Sequence, residues 1–223
     1  MNHQTFQKKI WDYYRGNKRN LPWRPPSLKL RKGKLDPYKI LVSEIMLQQT
    51  QVSRVLKKYP EFLKAFPNVR ALAKAPLGNV LRVWQGMGYN RRAIALKRLA
   101  EEVVKNHHGK IPLDFDSLIA LPGVGRATAG AVMAFASDAP VLFVETNIRR
   151  VFIYFFFGPQ KHSHILKNMR MSSSVSDAEI FRLVEETLPK KNVRPVRGRP
   201  AAGTATTALG RSASNGVREW YWA

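Results

Sequence analysis

The segment Leu121-Pro122-Gly123-Val124-Gly125-Arg126-Ala127-Thr128-Ala129-Gly130 has two glycines on either side of a small apolar residue. Because glycine adopts positive φ angles at little cost, this pattern predicts a tight chain reversal with positive φ at both Gly123 and Gly125. The alanine-rich residues that follow favour a helix. We therefore predict a hairpin between two helices, at residues 116–121 and 126–136.

The predicted hairpin is also a candidate anion site. The first amides of a helix have no intrahelical acceptor, and the helix dipole places partial positive charge at the same end. Residues 122–126 lie there, and Arg126 adds a full charge. We predict that Pro122, Gly123, Val124, Gly125 and Arg126 bind a phosphate. The alternative is an ordinary helix connection with a glycine cap.

The charge of the chain indicates the kind of partner. The 223 residues include 38 Lys and Arg against 15 Asp and Glu, a formal net charge of +23. This excess is typical of proteins that bind a polyanion. A membrane surface is the rival partner, but the longest apolar run, 151–157, is too short to span a bilayer. Because Met1-Asn2-His3-Gln4 starts no signal peptide, we expect a cytoplasmic, nucleoid-associated monomer.

The sequence contains no cysteine. It therefore supplies no thiolate for a disulfide, a nucleophile or a metal site. His107 with His108, and His162 with His164, form two pairs that lack metal-site spacing, so we expect them in surface loops. We predict that this chain binds no metal ion and no cofactor.

The spacing of apolar residues predicts short helices joined by proline and glycine turns, which indicates an all-α fold. Besides the hairpin, helices are predicted at 5–14, 37–56, 77–84, 91–106, 146–157 and 176–188. Asp36 is the predicted N-cap of the second of these, Pro60 the predicted interruption after it, and 85–90 a glycine-containing loop. Residues 138–140 are predicted to form a turn. Residues 190–216 have almost nothing to bury, which predicts disorder.

Two glutamates are candidates for acid–base chemistry. Glu44 lies in the otherwise apolar turn 40–47, where burial disfavours the ionised form, so it is a candidate acid. Gln48 and Gln51 follow at i+4 and i+7, on the same helical face. Glu145 directly precedes a helix, whose dipole favours a negative charge. A protonated and an ionised carboxyl together are what glycosidic bond cleavage uses. The alternatives are a surface glutamate at Glu44 and a helix cap at Glu145.

Five motifs together point to one family. They are Leu21-Pro22-Trp23-Arg24, Ser43-Glu44-Ile45-Met46-Leu47-Gln48-Gln49-Thr50-Gln51-Val52, Trp84-Gln85-Gly86-Met87-Gly88-Tyr89, Leu121-Pro122-Gly123-Val124-Gly125 and Asn147-Ile148-Arg149-Arg150-Val151. Over about residues 6–157 the chain closely resembles the adenine DNA glycosylases of the helix-hairpin-helix superfamily. The Glu-x-Met-Leu-Gln-Gln-Thr block is far more specific than the hairpin.

The resemblance implies an activity and a set of roles. It implies removal of adenine mispaired with 8-oxoguanine or guanine in double-stranded DNA, after the adenine is flipped out of the duplex. By this likeness Glu44 protonates the adenine ring, Glu145 is the second carboxylate and Asn147 supports it. The residues implied to bind substrate are Arg24, Gln48, Gln49, Thr50 and Tyr89, of which Gln49 and Tyr89 enter the base stack.

The sequence departs from the family at several positions. Glu145 stands where the family has aspartate, and Asn90 where it has a second tyrosine. Ala127 stands where relatives that also cut the strand have lysine, so we expect base removal without lyase chemistry. Most relatives carry a four-cysteine iron–sulfur segment, which would lie beyond Ala223. The alternatives are a glycosylase for another mismatched base, such as thymine, and a DNA-binding remnant without catalysis.

The resemblance also implies a domain organisation. Residues 27–140 are expected to form a six-helix domain that contains the hairpin. Residues 1–26 and 141–189 are expected to form a second helical domain from both chain ends. Residues 190–216 are expected to be a disordered basic insert, and 217–223 the start of a helix whose remainder is truncated.

Overall fold

The computed structural model describes residues 1–17, 19–23, 35–137, 141–158 and 175–188. The secondary-structure elements of these described residues are all helices, which confirms the all-α prediction. The chain forms two compact units, Met1–Lys18 with Pro140–Ala223 and Arg19–Ala139, so the first division falls after Lys18 rather than after Pro26. The predicted turn at 138–140, the predicted disorder at 190–216 and the predicted helix start at 217–223 lie outside the described residues.

The unit Arg19–Ala139 contains α2 to α8. These helices are α2 (Pro37–Leu47), α3 (Val52–Ala65), α4 (Val69–Lys74), α5 (Leu77–Trp84), α6 (Arg91–Asn106), α7 (Phe115–Ile119) and α8 (Arg126–Val132). A π-helical turn, Met133–Ser137, continues α8. The unit Met1–Lys18 with Pro140–Ala223 contains α1 (His3–Asn17), α9 (Thr146–Phe152) with its π-helical turn Ile153–Phe157, and α10 (Asp177–Thr187).

Helix α2 lies at the centre of its unit. Asp36 accepts a hydrogen bond from the Tyr38 amide at 3.0 Å and Pro37 occupies the first helical position, as predicted for the start of this helix. Most of its side chains are buried, and α3, α6 and α8 pack against it. A helix that is apolar on nearly every face must be covered on nearly every face. Its position in the structure is therefore fixed from several sides.

The other unit is held together by aromatic packing and one buried arginine. Phe6 of α1 is fully buried, with its ring centroid 4.9 Å from that of Phe152 in α9. Ile180 and Val184 of α10 complete this core. Arg149 of α9 donates hydrogen bonds to the Val175 carbonyl and the Asp177 carboxylate, which attaches the start of α10 to α9. The helix that follows Glu145 is thus firmly packed.

Two predicted features of the α2–α3 region were wrong. Helix α2 ends at Leu47 instead of continuing to about Leu56, so Gln48 and Gln51 do not share the helical face of Glu44. Pro60 lies inside α3 instead of interrupting the helix. Buried Val55, Tyr59 and Phe62 anchor α3 on both sides of the proline. Pro60 and Leu56, whose carbonyl loses its helical bond, are exposed, so water can replace that bond.

Candidate functional site

Glu44 is the polar member of an otherwise buried segment of α2. Its neighbours Ser43, Ile45 and Met46 are buried, whereas Glu44 is partly exposed and its Oε1 atom is buried. The Ser43 hydroxyl donates to the Ile40 carbonyl at 2.7 Å, which satisfies it within the helix. Glu44 is therefore a partly desolvated carboxyl that can still meet a ligand.

The turn after α2 carries three of the predicted substrate-binding residues. Gln48 donates from Nε2 to Thr128 Oγ1 of α8 at 3.3 Å, which connects this turn to the hairpin. Gln49 is exposed and has a φ of 53°, a conformation that is uncommon for a residue other than glycine. The Thr50 hydroxyl donates to the Gln48 carbonyl at 3.3 Å. The turn thus presents Gln49 to solvent while its flanks are attached to the fold.

A second turn presents Tyr89. Residues 85–90 form the predicted loop, in which Gly86 and Gly88 have φ angles of 88° and 71°. The Trp84 indole donates to the Gly88 carbonyl at 3.1 Å. Tyr89 itself has a φ of 49° and is 56% exposed. A large aromatic residue held outward in a constrained backbone is suited to contact with a flat ligand surface.

The hairpin lies between α7 and α8 as predicted, but with one difference. Gly123 has a φ of 79°, and the Val124 amide donates to the Leu121 carbonyl at 3.1 Å within the turn. Gly125 has a φ of −94° and a ψ of 173°, so the predicted positive φ at Gly125 was wrong. Gly125 is extended because it is the N-cap of α8, and N-cap residues lie in the β region.

The exposed surface of the hairpin is suited to an anion. Gly123, Gly125, Arg126 and Ala127 are exposed, and Pro122 is partly so. The first amides of α8 have no acceptor within the helix. The Arg126 guanidinium lies 5.3 Å from the centroid of the Phe115 ring, so a positive charge from the first residue of α8 packs against the start of α7.

Glu145 and Asn147 lie in the other unit. Glu145 is exposed and directly precedes α9, as predicted; it occupies the N-cap position without a side-chain capping bond, and its carbonyl accepts from the Arg149 amide at 2.9 Å. Asn147 Nδ2 lies 3.5 Å from Glu145 Oε1. These two side chains are therefore adjacent. Arg24 lies outside the described residues.

Sequence reasoning missed Arg92, which contacts both turns. Arg92 belongs to a basic helix and is nevertheless 7% exposed. The sequence carried one signal for this position, since Arg92 lies four and seven residues before the buried Leu96 and Leu99. An arginine on the apolar face of a helix indicates a buried role rather than a solvated one.

The described residues contain no group of three His, Cys, Asp or Glu side chains that could hold a metal ion. No helix among them is long and apolar enough to cross a membrane. The sequence has no cysteine, so its residues do not fit the thiolate ligation of an iron–sulfur cluster.

The chain is similar in sequence to several adenine DNA glycosylases. An adenine DNA glycosylase of Mycobacterium tuberculosis is 42% identical over 139 residues, which are 62% of this chain and 43% of that protein. The adenine DNA glycosylase of Mus musculus is 37% identical over 148 residues, 66% of this chain and 29% of that protein. The chain thus spans less than half the length of these relatives.

Solved structures share the fold. A thermostable thymine-DNA glycosylase superposes with a TM-score of 0.69 at 27% identity, covering 85% of this chain and 80% of that one. An endonuclease III–DNA covalent intermediate superposes with a TM-score of 0.66 at 20% identity, covering 86% and 81%.

The fold and the hairpin define the class, an all-helical helix-hairpin-helix protein. The match to a family model defines a narrower group within this class. Residues 42–176 match the HhH-GPD superfamily of base excision DNA repair proteins, and the chain belongs to that superfamily.

Proposed function

We propose that this chain is a DNA N-glycosylase that releases adenine mispaired with 8-oxoguanine or guanine in double-stranded DNA. The observation that carries the proposal is the placement of Glu44. It is a carboxyl with a buried oxygen on a buried helix, and the turn after that helix is bonded to the hairpin through Gln48 and Thr128. The adenine-specific names of the relatives at 37–42% identity support adenine as the base.

The proposed reaction uses one carboxyl as acid and one as anion. With the adenine flipped out of the duplex, Glu44 donates its proton to an adenine ring nitrogen. The bond between the base and the sugar C1′ breaks, and its electron pair leaves with the adenine. Glu145 stabilises the oxocarbenium-like sugar that remains. Water adds to C1′ and gives a proton back to Glu44, which leaves an abasic site.

We propose hydrolysis without strand cleavage. A lyase needs an amine that forms a Schiff base with C1′. Ala127 occupies the position after the hairpin where the lyase relatives carry lysine, and it is exposed at the start of α8. The chain therefore has no amine at that position.

The remaining proposed roles concern DNA binding. The hairpin, from Pro122 to Arg126, would hold a backbone phosphate through its amides and charge. Gln49 and Tyr89 would enter the base stack from their two turns. Arg24 would help to line the adenine pocket, and Asn147 would support Glu145.

The experiment is single-turnover release of adenine from a duplex with adenine opposite 8-oxoguanine. We expect release by the chain and its loss in Glu44→Gln, which keeps the shape of the side chain but cannot donate the proton. Glu61→Gln is the matched control, because it makes the same chemical change at an exposed position of α3, and it should leave the rate unchanged.

A thymine glycosylase is the second candidate, because a structure with that name superposes on 85% of the chain. A duplex with thymine opposite guanine separates the two, and preferential thymine release would replace the adenine proposal. If neither base is released by the chain or by Glu145→Asp while the duplex is still bound, the chain is a DNA-binding protein without this chemistry. Binding alone decides nothing, since a charge of +23 is sufficient for it.

A further inference from the structure

Arg92 caps the end of the helix that carries Glu44. Its Nη1 donates to the Ile45 carbonyl at 3.2 Å, to the Met46 carbonyl at 2.9 Å and to the Gln48 carbonyl. The Ile45 and Met46 carbonyls belong to the last turn of α2, where no further residue of the helix can satisfy them and the dipole is negative, and Gln48 is the C-cap residue that follows. The guanidinium therefore satisfies the backbone carbonyls at the end of α2 and stabilises that end.

The other end of the same guanidinium holds the loop of Tyr89. Its Nη2 donates to Thr50 Oγ1 at 2.9 Å and to the carbonyls of Met87 and Gly88 at 3.2 Å each. Its central carbon lies 5.5 Å from the centroid of the Tyr89 ring and 5.4 Å from that of Trp84. One side chain thus contacts both turns at once.

The two turns that Arg92 joins contain two of the unusual backbone conformations of the described chain. Gln49 and Tyr89 have φ angles of 53° and 49° although neither is glycine. Such residues cost on the order of 1 kcal/mol or more and persist only where the surroundings fix them. The bonds of Arg92 fall on the residues that flank Gln49 and Tyr89, so it is placed to fix both.

Burying the charge of Arg92 removes it from water, which has a desolvation cost. The hydrogen bonds described for Arg92 go to neutral oxygens, with no carboxylate among them, and burial lowers the pKa of its guanidinium. A lysine could not replace it, because only the planar fork reaches two separate groups of acceptors with fixed geometry.

We infer that Arg92 is a positioning residue that holds the tips of the two turns, Gln49 and Tyr89, as one rigid unit for insertion into the base stack. The role of the two tips in base flipping rests on the proposed function, whereas their fixed positions do not. Flipping a paired base has a cost of unstacking and unpairing, and in the proposed function both tips enter the stack at that step. If the two turns were flexible, they would lose conformational entropy at that step, which would slow it.

The geometric part is tested by the distance between the tips. Because the chain has no cysteine, Gln49→Cys and Tyr89→Cys can be spin-labelled without other reactions, and pulsed electron resonance gives the distance distribution. We expect a narrow distribution with Arg92, a broad one in Arg92→Met and an intermediate one in Arg92→Lys. Arg98→Met, an exposed charge on the same helix, is the matched control and should stay narrow. A narrow distribution in Arg92→Lys and in any folded Arg92→Met would overturn the inference.

The functional part is tested with two duplexes that differ in flipping cost. One has adenine opposite guanine, and the other has adenine opposite an abasic site, where no pair must be broken. Arg92→Met should lower the first single-turnover rate by about 10²-fold, as misplacement of a catalytic assembly does, and the second much less. Equal losses on both duplexes would mean general damage and would overturn the positioning role. If the unmodified chain releases adenine from neither, the proposed function fails, while the spin-label distances still decide on Arg92.

Discussion

At the scale of single residues, Glu145 is the proposed second carboxylate, at a position where the resemblance implies aspartate. The extra methylene of glutamate moves the carboxylate by about 1.5 Å relative to aspartate. We expect Glu145→Asp to raise the single-turnover rate of adenine release, by up to about 10²-fold, because small misplacements of a charge are costly. Glu145→Ala should lower it. A lower rate in Glu145→Asp would show that the backbone around α9 is adapted to glutamate.

The two hairpin glycines predict different effects of the same substitution. A Cβ at Gly123 would lie 2.9 Å from the Ala95 Cβ, and its φ of 79° strains any other residue. Gly125 is extended and has open space, with nothing within 4 Å of an added Cβ. Gly123→Ala should lower the free energy of unfolding by about 1–2 kcal/mol, whereas Gly125→Ala should lower it by less, because alanine there is only a poorer N-cap residue and meets no steric barrier. Urea denaturation of both variants tests this, and equal losses would contradict it.

At the scale of elements, the start of α2 depends on one side chain. Asp36 accepts from the Tyr38 amide at 3.0 Å and so satisfies an amide that has no acceptor within the helix. Asp36→Ala should lower the free energy of unfolding by about 1 kcal/mol. Asp36→Ser, which keeps an oxygen acceptor, should recover most of it. Chemical denaturation measures both, and no difference between them would argue against capping.

The contact between α2 and α3 should weaken at alkaline pH. The Tyr38 hydroxyl donates to the Phe66 carbonyl at 2.8 Å and the Tyr59 hydroxyl to the Lys39 carbonyl at 3.2 Å. Burial, and then the charge of Asp36, raise the pKa of both phenols above their ordinary value of 10.0. The unfolded chain therefore loses these protons first. The contribution of the two buried phenols to the free energy of unfolding is therefore fully present below about pH 10. Above that pH it is lost, by about 1.4 kcal/mol per pH unit for each tyrosine.

Denaturation between about pH 9 and 12 measures that slope. The double variant Tyr38→Phe, Tyr59→Phe should be less stable at neutral pH but should show a flatter decline. Tyr13→Phe is the matched control, because Tyr13 is 61% exposed. A decline as steep in the double variant as in the unmodified chain would assign the alkaline sensitivity to other groups.

Local sequence signals predicted the elements that local chemistry fixes. Asp36 with Pro37 marked the start of α2, and the glycines at 86 and 88 marked the Tyr89 loop, both as observed. The end of α2 was not predictable locally, because Gln48 to Gln51 contain neither glycine nor proline. The carbonyls at that end accept hydrogen bonds from Arg92, a side chain more than forty residues away. Glu44, Glu145 and the hairpin were candidates from local chemistry, whereas the other predicted site residues came from a resemblance, which gave no indication of Arg92.

At the scale of the whole molecule, we expect net charge to determine most of the affinity for DNA, and the proposed acid Glu44 to affect the reaction but not the affinity. A protein that makes six to ten phosphate contacts loses about 10³- to 10⁵-fold in affinity between roughly 50 and 200 mM salt, and with a net charge of +23 we expect a loss in this range for undamaged duplex DNA. Titration of a fluorescent duplex at several salt concentrations measures the slope. Glu44→Gln should keep the slope, because it alters the proposed acid and not the phosphate contacts.

Arg126→Ala should lower the slope of log affinity against log salt by about one, since it removes one proposed phosphate contact. Arg15→Ala is the matched control for charge. Arg15 is exposed in α1 and paired with Asp12 at 2.6 Å, so its removal changes net charge without touching the hairpin. If both variants reduced the slope equally, binding would follow net charge alone and the hairpin would have no special part in it. A reduction in Arg126→Ala alone would place a phosphate at the hairpin, independently of whether the chain releases adenine.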